Sequence, residues 1–540
     1  MRPINRIFEW PAKPLAMAAL VGGLALGSTA CSDFLDVNTN PNAPERTSAN
    51  NYLAPMMHWL ATSEQFDGQF VGRYTQQWVI PPATLTGTPE TWARHGYART
   101  SDAGAQLYRD VYWNFGINLG DMIAQAEAEE RWDLAGVGYV LRGWGWLKLT
   151  NLHGEIIVKE AFTPDKYRFA FDSQDTVYAE VFRLLDQGIQ YLQRTDGNPS
   201  AAYIAVGDKM FNGDATRWAK FAHGLKAMAL NQLSNKGGLY NPDAVIAEVD
   251  ASFASNAEEA LFPYPKVSPT ASDDRNFWDP ARGNLGSYRQ TTFIVGLMDG
   301  TAYPGAVDPR ISRMLAPDST GTYRGIHHTG GYGSVTRERP WNLWGYYGTA
   351  SPGLGARGRY LFDERVLFPV MTYAQLQFIK AEAALRKGDQ GTAMQAYLNG
   401  INAHIDFVNA RVTEIGREGV VPISGTERAA FLANPEIVPA TLTLSHIMGQ
   451  KYIAQWAWSH VELWTDLRRF HYIDLDPVAG TQVFRGFTLP TNYDPDNNNK
   501  PVYRLRPRYN SDYVWNREEL AKIGGLALDY HTKLIWITEP

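Results

Sequence analysis

The tetrapeptide Gly388-Asp389-Gln390-Gly391 limits what this chain can fold into more than any other stretch. Met371 to Lys387 before it and Thr392 to Val408 after it carry apolar residues at three- and four-residue spacing, the period of a helix with one buried face. A link so short and glycine-rich turns the chain straight back, so the two segments form a helical hairpin. Ala381, Ala383 and Ala384 on one side and Ala393 and Ala396 on the other are small enough for close packing. The same period recurs upstream. Val137, Val140, Leu141, Trp144 and Leu147 follow Asp133, and Val177, Val181, Leu184, Leu185, Ile189 and Leu192 follow Asp172 and Ser173 as caps. Trp218, Phe221, Leu225, Met228 and Leu233 lie between Asp214 and Ser234, and a fourth helix follows Asn241-Pro242-Asp243. Paired helices are the construction of a tetratricopeptide repeat, here without a clean period of ~34 residues. A mostly α fold on tetratricopeptide-like pairs is predicted, with helical-repeat elements at about 133–255 and 371–475. Gly136, Gly138, Gly143 and Gly145 fall inside a helical pattern and read as packing glycines.

Between about Phe262 and Pro369 the helical period disappears and Pro, Gly, Trp and Tyr crowd together, as in Trp341-Asn342-Leu343-Trp344-Gly345-Tyr346-Tyr347-Gly348. So long an irregular insertion points to function, and its aromatic content argues against disorder. Residues 51–540 are therefore expected to form a single domain with a loop-rich half at about 262–369.

The N-terminus predicts where the protein resides. Arg2, Arg6 and Lys13 precede an apolar run from Leu15 to about Gly27, shorter than the ~20 residues a spanning helix needs. This is the pattern of a signal peptide over residues 1–30. Cys31 follows Ser28-Thr29-Ala30 and is the chain's single cysteine, so no intramolecular disulfide can form. Small residues before a lone cysteine suit a lipoprotein signal peptidase, although Ser28 stands where Leu or Val is commonest. Cys31 is the expected lipidation site. Residues 31–50, rich in Asn, Asp and Pro, read as an extended tether, with Asp33 and Asp36 placed like an acidic surface-export signal. A net charge of −6 leaves no basic surplus for a phosphate backbone, which disfavours nucleic acid as a partner.

Six blocks in order carry a resemblance over nearly the whole mature chain. They are Cys31-Ser32-Asp33-Phe34-Leu35-Asp36-Val37-Asn38-Thr39-Asn40-Pro41-Asn42; Leu141-Arg142-Gly143-Trp144 with Asn151-Leu152-His153-Gly154; and Arg217-Trp218-Ala219-Lys220-Phe221-Ala222. Then come Met371-Thr372-Tyr373-Ala374-Gln375-Leu376-Gln377-Phe378-Ile379-Lys380-Ala381-Glu382-Ala383, Gln450-Lys451-Tyr452-Ile453-Ala454 with Trp464-Thr465-Asp466-Leu467-Arg468-Arg469, and Arg506-Pro507-Arg508-Tyr509. The chain resembles the SusD/RagB-like outer-membrane lipoproteins of Bacteroidetes, departing at Gln375, where Glu is usual, and Tyr452, where Trp is common. The resemblance implies helix pairs packed against a loop-rich binding half, lipid anchoring on the outer membrane facing the exterior, and a SusC-like TonB-dependent transporter as partner.

A sugar oligomer needs flat apolar ring faces to stack on, with polar groups at their edges. Two stretches supply both. Asp67, Arg73, Trp78 and Trp92 lie in the first; Arg275, Trp278, Tyr288, Trp341, Asn342, Trp344, Tyr346 and Tyr347 lie in the second. Trp144, Trp218, Trp456 and Trp458, set in periodic helices, are expected in the core. Asp494-Pro495-Asp496-Asn497-Asn498-Asn499 alternates oxygen ligands but lacks the glycine and the acidic last ligand of a calcium loop, and reads as a turn. His327-His328 has no partner at metal-ligand spacing. Asp466, Arg468 and Arg469 are expected to form helix-terminal ion pairs. No nucleophile elbow, phosphate loop or HExxH is present in the sequence. The expected protein is a non-catalytic receptor, without cofactor or metal, for an oligomeric nutrient. A glycan is the first choice and a peptide the alternative; a surface glycosidase and a ligand-free helical scaffold are the other readings.

Overall fold

Helix α1, Leu53–Tyr74, is the first long helix among the described residues, and most of it is buried. The computed structural model describes residues 47–98, 100–264 and 275–540. The expected leader, Cys31 and all but the end of the tether lie outside the described residues. Ala49–Pro540 forms one compact unit.

The remaining main helices are α2 (Gly116–Ala128), α3 (Trp132–His153), α4 (Gln174–Leu192), α5 (Ala215–Gln232), α6 (Pro242–Asp250), α7 (Tyr373–Lys387), α8 (Gln390–Ile415), α9 (Leu444–Gln455) and α10 (His460–Arg469). Four of them start at a residue whose side chain satisfies a free N–H of the first turn. Asp214 accepts from the N–H groups of Thr216 and Arg217, Asn241 from Ala244, Thr372 from Gln375 and Asp389 from Thr392. Ser173 makes no such bond; Asp172 instead accepts from the N–H groups of Val158 and Lys159 and ties the loop after α3 to the start of α4.

Helices pack in sequential pairs, α3 on α4, α5 on α6 and α7 on α8. Two glycines allow the closest of these approaches. A Cβ on Gly136 would stand 2.7 Å from Leu192 Cγ and 3.0 Å from the Gly188 carbonyl oxygen, and one on Gly188 would stand 2.8 Å from Val140. The hairpin link is tighter than expected, because Gly388 takes a left-handed conformation at φ +88° and α8 begins at Gln390. Trp144, Trp218, Trp456 and Trp458 are buried, as their positions predict.

Strands are few. β1 (Trp78–Val79) pairs antiparallel with β3 (Arg289–Gln290), and β2 (Ala260–Pro263) with β4 (Leu367–Met371), which occupies the first residue expected of the hairpin helix. The described part of the 262–369 region is built of turns and short helices wrapped over α1, α8 and α9.

At the end of α10 the expected ion pair forms between Asp466 and Arg469, within a fully buried network. Arg469 pairs with Asp466 at 2.5 Å and Glu382 at 3.0 Å, and Lys451 with Asp466 at 2.7 Å. Arg468 takes no carboxylate among the described residues and donates instead to the carbonyls of Trp464, Tyr503 and Asn151.

Candidate functional site

Both aromatic stretches singled out in the sequence meet in one cluster around the C-terminal end of α1. Trp78 packs edge-on to Trp278 at 5.5 Å and Tyr288 at 6.4 Å. Trp344 Nε1 donates to the Trp278 carbonyl at 2.8 Å. The Arg73 guanidinium lies 5.2 Å from Phe70, 5.8 Å from Trp92 and 5.7 Å from Tyr288, and pairs with Glu90 at 2.9 Å. Asp67 accepts from the backbone N–H groups of Gln106 and Leu107 at 2.9 and 2.8 Å. Burial pushes its carboxyl up to about 7 despite those two bonds. Arg275 pairs with Asp279 and Glu364, and the Asn342 side chain accepts from the N–H of Tyr346.

These residues are brought together, but their faces are spent on one another. Asp67, Arg73, Trp78, Trp92, Arg275, Trp278, Tyr288, Asn342 and Trp344 are all buried, so the structure makes them a packed cluster and not the open stacking platform expected. Trp341 and Tyr346 remain half-buried, and Tyr347 is exposed. The Asp494 turn is committed as well, with Asp494 paired to Arg94 at 3.1 Å and Asn497 donating to the His95 carbonyl.

An open site lies elsewhere, at the start of α2. Asp110–Phe115 forms a π-helical turn, the wider winding that often marks functional positions, and Gly116 ends it at φ 26°, a conformation side-chain-bearing residues avoid. This turn throws Trp113 into solvent at 73% exposure. The loop after α3 forms the facing wall. Tyr112 Oη donates to the Ile157 carbonyl at 2.7 Å, and Asn516 clamps both the N–H and the carbonyl of Phe169. Between those anchors Phe162 and Asp165 hold left-handed backbones, and Tyr167 stands 82% exposed. A second π-helical turn, Tyr509–Tyr513, closes the end and presents Trp515 at 76% exposure.

The resulting groove has a volume of about 1070 Å³. Its walls are mostly apolar, with Trp113, Ile117, Phe162, Tyr167 and Trp515 prominent and Arg109, Asp121, Arg142, Asp512 and Asn516 at the edges and floor. Asp512 is buried beside Tyr108, and burial pushes its carboxyl up to about 6. Large exposed rings gathered around one concavity are uncommon on a soluble protein and mark a binding surface. Sequence reading passed over them because Trp113 sits between Tyr112 and Phe115 as core aromatics do. The usable signal was three large rings in non-periodic, Gly-, Pro- and Asn-containing segments, Trp113-Asn114-Phe115-Gly116, Pro164-Asp165-Lys166-Tyr167 and Tyr513-Val514-Trp515-Asn516.

Comparison with known proteins gives a consistent picture. The SusD-like family model described as "Starch-binding associating with outer membrane" matches residues 41–490. A SusD homologue from Bacteroides fragilis superposes with a TM-score of 0.68 at 18% identity, over 92% of this chain and 100% of its own. A SusD/RagB family protein from Bacteroides thetaiotaomicron gives 0.65 at 18% identity, over 91% and 99%. A chitin-binding SusD homologue from Flavobacterium johnsoniae gives 0.63 at 19% identity, again over 91% and 99%. No curated protein matches the chain by sequence. Among the described residues, no helix is long and apolar enough to cross a membrane.

Proposed function

The chain belongs to the SusD-like family, and from that premise we propose that it is a non-catalytic surface receptor that captures a glycan and passes it to a SusC-like TonB-dependent transporter. Acylation at Cys31 would hold it on the outer membrane, facing the exterior. The chitin-binding relative supports a glycan over a peptide. The observation that carries the reading is the groove bounded by Trp113, Tyr167 and Trp515. Their exposed faces offer what pyranose rings stack on, and polar side chains stand at the edges for hydroxyls. Trp341 and Tyr347, on the other binding-half loops, are a second, smaller surface for the same ligand.

A cargo that must be released should be held at micromolar affinity or weaker, about −8 kcal/mol or less in magnitude. Isothermal titration against a glycan panel tests this. Removing the ring in Trp113→Ala or Trp515→Ala should cost about 1–2 kcal/mol each, roughly a five- to thirtyfold loss. Silence of the intact protein toward every glycan, with binding to peptides, would transfer the site to the peptide-binding reading. Release of new reducing ends from a polysaccharide would make the protein a glycosidase.

A further inference from the structure

Arg142, half-buried, differs from the buried arginines. It projects from α3 into the wall between the main groove and a neighbouring depression of about 300 Å³, and it lines both together with Gly120 and Phe162. Its guanidinium lies 4.8 Å from the Phe162 ring and 5.8 Å from Trp146. Among the described residues, one of its five N–H donors is used, in a 3.2 Å bond to the Gly116 carbonyl. No carboxylate among the described residues comes within ion-pair distance.

Elsewhere the fold gives such groups a carboxylate or several carbonyls. Arg469 has Glu382 and Asp466, Arg310 has Asp308, Arg504 has Glu155, and Arg417 donates to the carbonyls of Trp344, Gly345 and Arg357. A half-buried guanidinium set against aromatic rings without a counter-charge is costly, and burial alone lowers the proton affinity of Arg142 to about 10. The groove's other charges do not relieve it. Arg508 is taken by Asp102 at 2.8 Å, Arg109 is a second, exposed cation, and Asp121 and Asp512 are both beyond pairing distance of Arg142.

We infer that the groove is built for a glycan bearing an anionic substituent, a carboxylate or a sulfate ester, which the forked N–H groups of Arg142 receive while the sugar rings stack on Trp113, Tyr167 and Trp515. The inference rests on the glycan-receptor reading and narrows its substrate class. A planar guanidinium matches two oxygens of such a group with parallel hydrogen bonds, and the apolar walls strengthen that pairing by excluding water.

Titration of the full chain with oligogalacturonate, with its neutral methyl ester and with a sulfated oligosaccharide tests it. One of the two anionic probes should bind at least about tenfold more tightly than the ester, and raising salt from about 50 to about 500 mM should erode that advantage. The anion that binds more tightly identifies the substituent. Arg142→Met should bring the acid-to-ester affinity ratio down to about one, whatever it does to the ester itself, while Arg142→Lys, keeping the charge without the fork, should give a ratio in between. Circular dichroism of both variants confirms the fold. An ester that binds as well as both anionic probes, or a preference that survives Arg142→Met, overturns the inference and leaves the receptor reading standing. Loss of every glycan, neutral and acidic, from the intact protein overturns both.

Discussion

Glu259 shows how a single buried side chain sets a pH dependence for the fold. Its carboxyl lies inside, just before β2, and accepts from the N–H of Tyr373 at 3.0 Å, which fixes the start of α7. Burial pushes it up to about 8, outweighing that bond and the more distant Arg411. In the unfolded chain the group titrates near 4.5. Below that value both states are protonated and the stabilisation is fully present. Between 4.5 and about 8 the unfolded chain releases a proton that the folded one retains, so stability falls as pH rises, in total by a few kcal/mol. Glu259→Gln keeps an acceptor for Tyr373 and has no proton to lose. Thermal melts should therefore coincide near pH 5 and separate in favour of the variant by pH 9, whereas parallel melts would mean that the carboxyl is not shifted. Asp67 and Asp512, also raised by burial, act in the same direction in both proteins and cancel in the difference. Glu382 acts oppositely: burial raises it, but Arg469 and Arg386 outweigh that and hold it well below the usual range, so its contribution is lost only in strong acid.

At the scale of elements, the α3–α4 contact gives Gly136, read from the sequence as a packing glycine, its partner in Gly188, which the sequence did not single out. Gly136 and Gly188 bring backbone against backbone, and a valine at 136 would have to displace the Gly188 carbonyl as well as Leu192. Backbone cannot yield as a side-chain tip can. Gly136→Val should cost at least about 1–3 kcal/mol, read as a lower urea midpoint at unchanged slope. An unchanged midpoint would show that the helices do not pack this closely. Such helices were legible because periodicity and caps are local: Asp214 caps where the sequence placed a cap, while Ser173, read as one, makes no such bond. The end of α8 was placed at Val408, although Arg411, Val412 and Ile415 continue its buried face to Ile415. β4 was missed because an apolar run that short has no distinguishing period. The aromatic cluster was legible in membership and wrong in exposure. Nothing local tells Trp344, fully buried under Trp278, from Trp113, left open by a π-helical turn.

For the whole molecule, the proposed role divides into capture and tethering, and the two depend on different parts of the chain. Capture uses side chains of the Ala49–Pro540 unit, where Trp113, Arg142, Tyr167 and Trp515 surround the groove. The proposed tethering would depend on Cys31, and several acyl chains at about 0.8 kcal/mol per buried CH₂ would make the membrane attachment effectively permanent. The division predicts a separable phenotype. Cys31→Ala should abolish incorporation of labelled fatty acid and release the protein from the outer-membrane fraction, while the purified variant binds its glycan with wild-type affinity. Growth on that glycan at limiting concentration should slow, because ligand captured in the medium is no longer held beside the transporter and the advantage of high local concentration is lost. A Cys31→Ala protein that stays with the membrane and carries label would place the anchor at some other residue. A released protein with weakened binding would mean that attachment shapes the groove, and the independence of the two parts would be wrong.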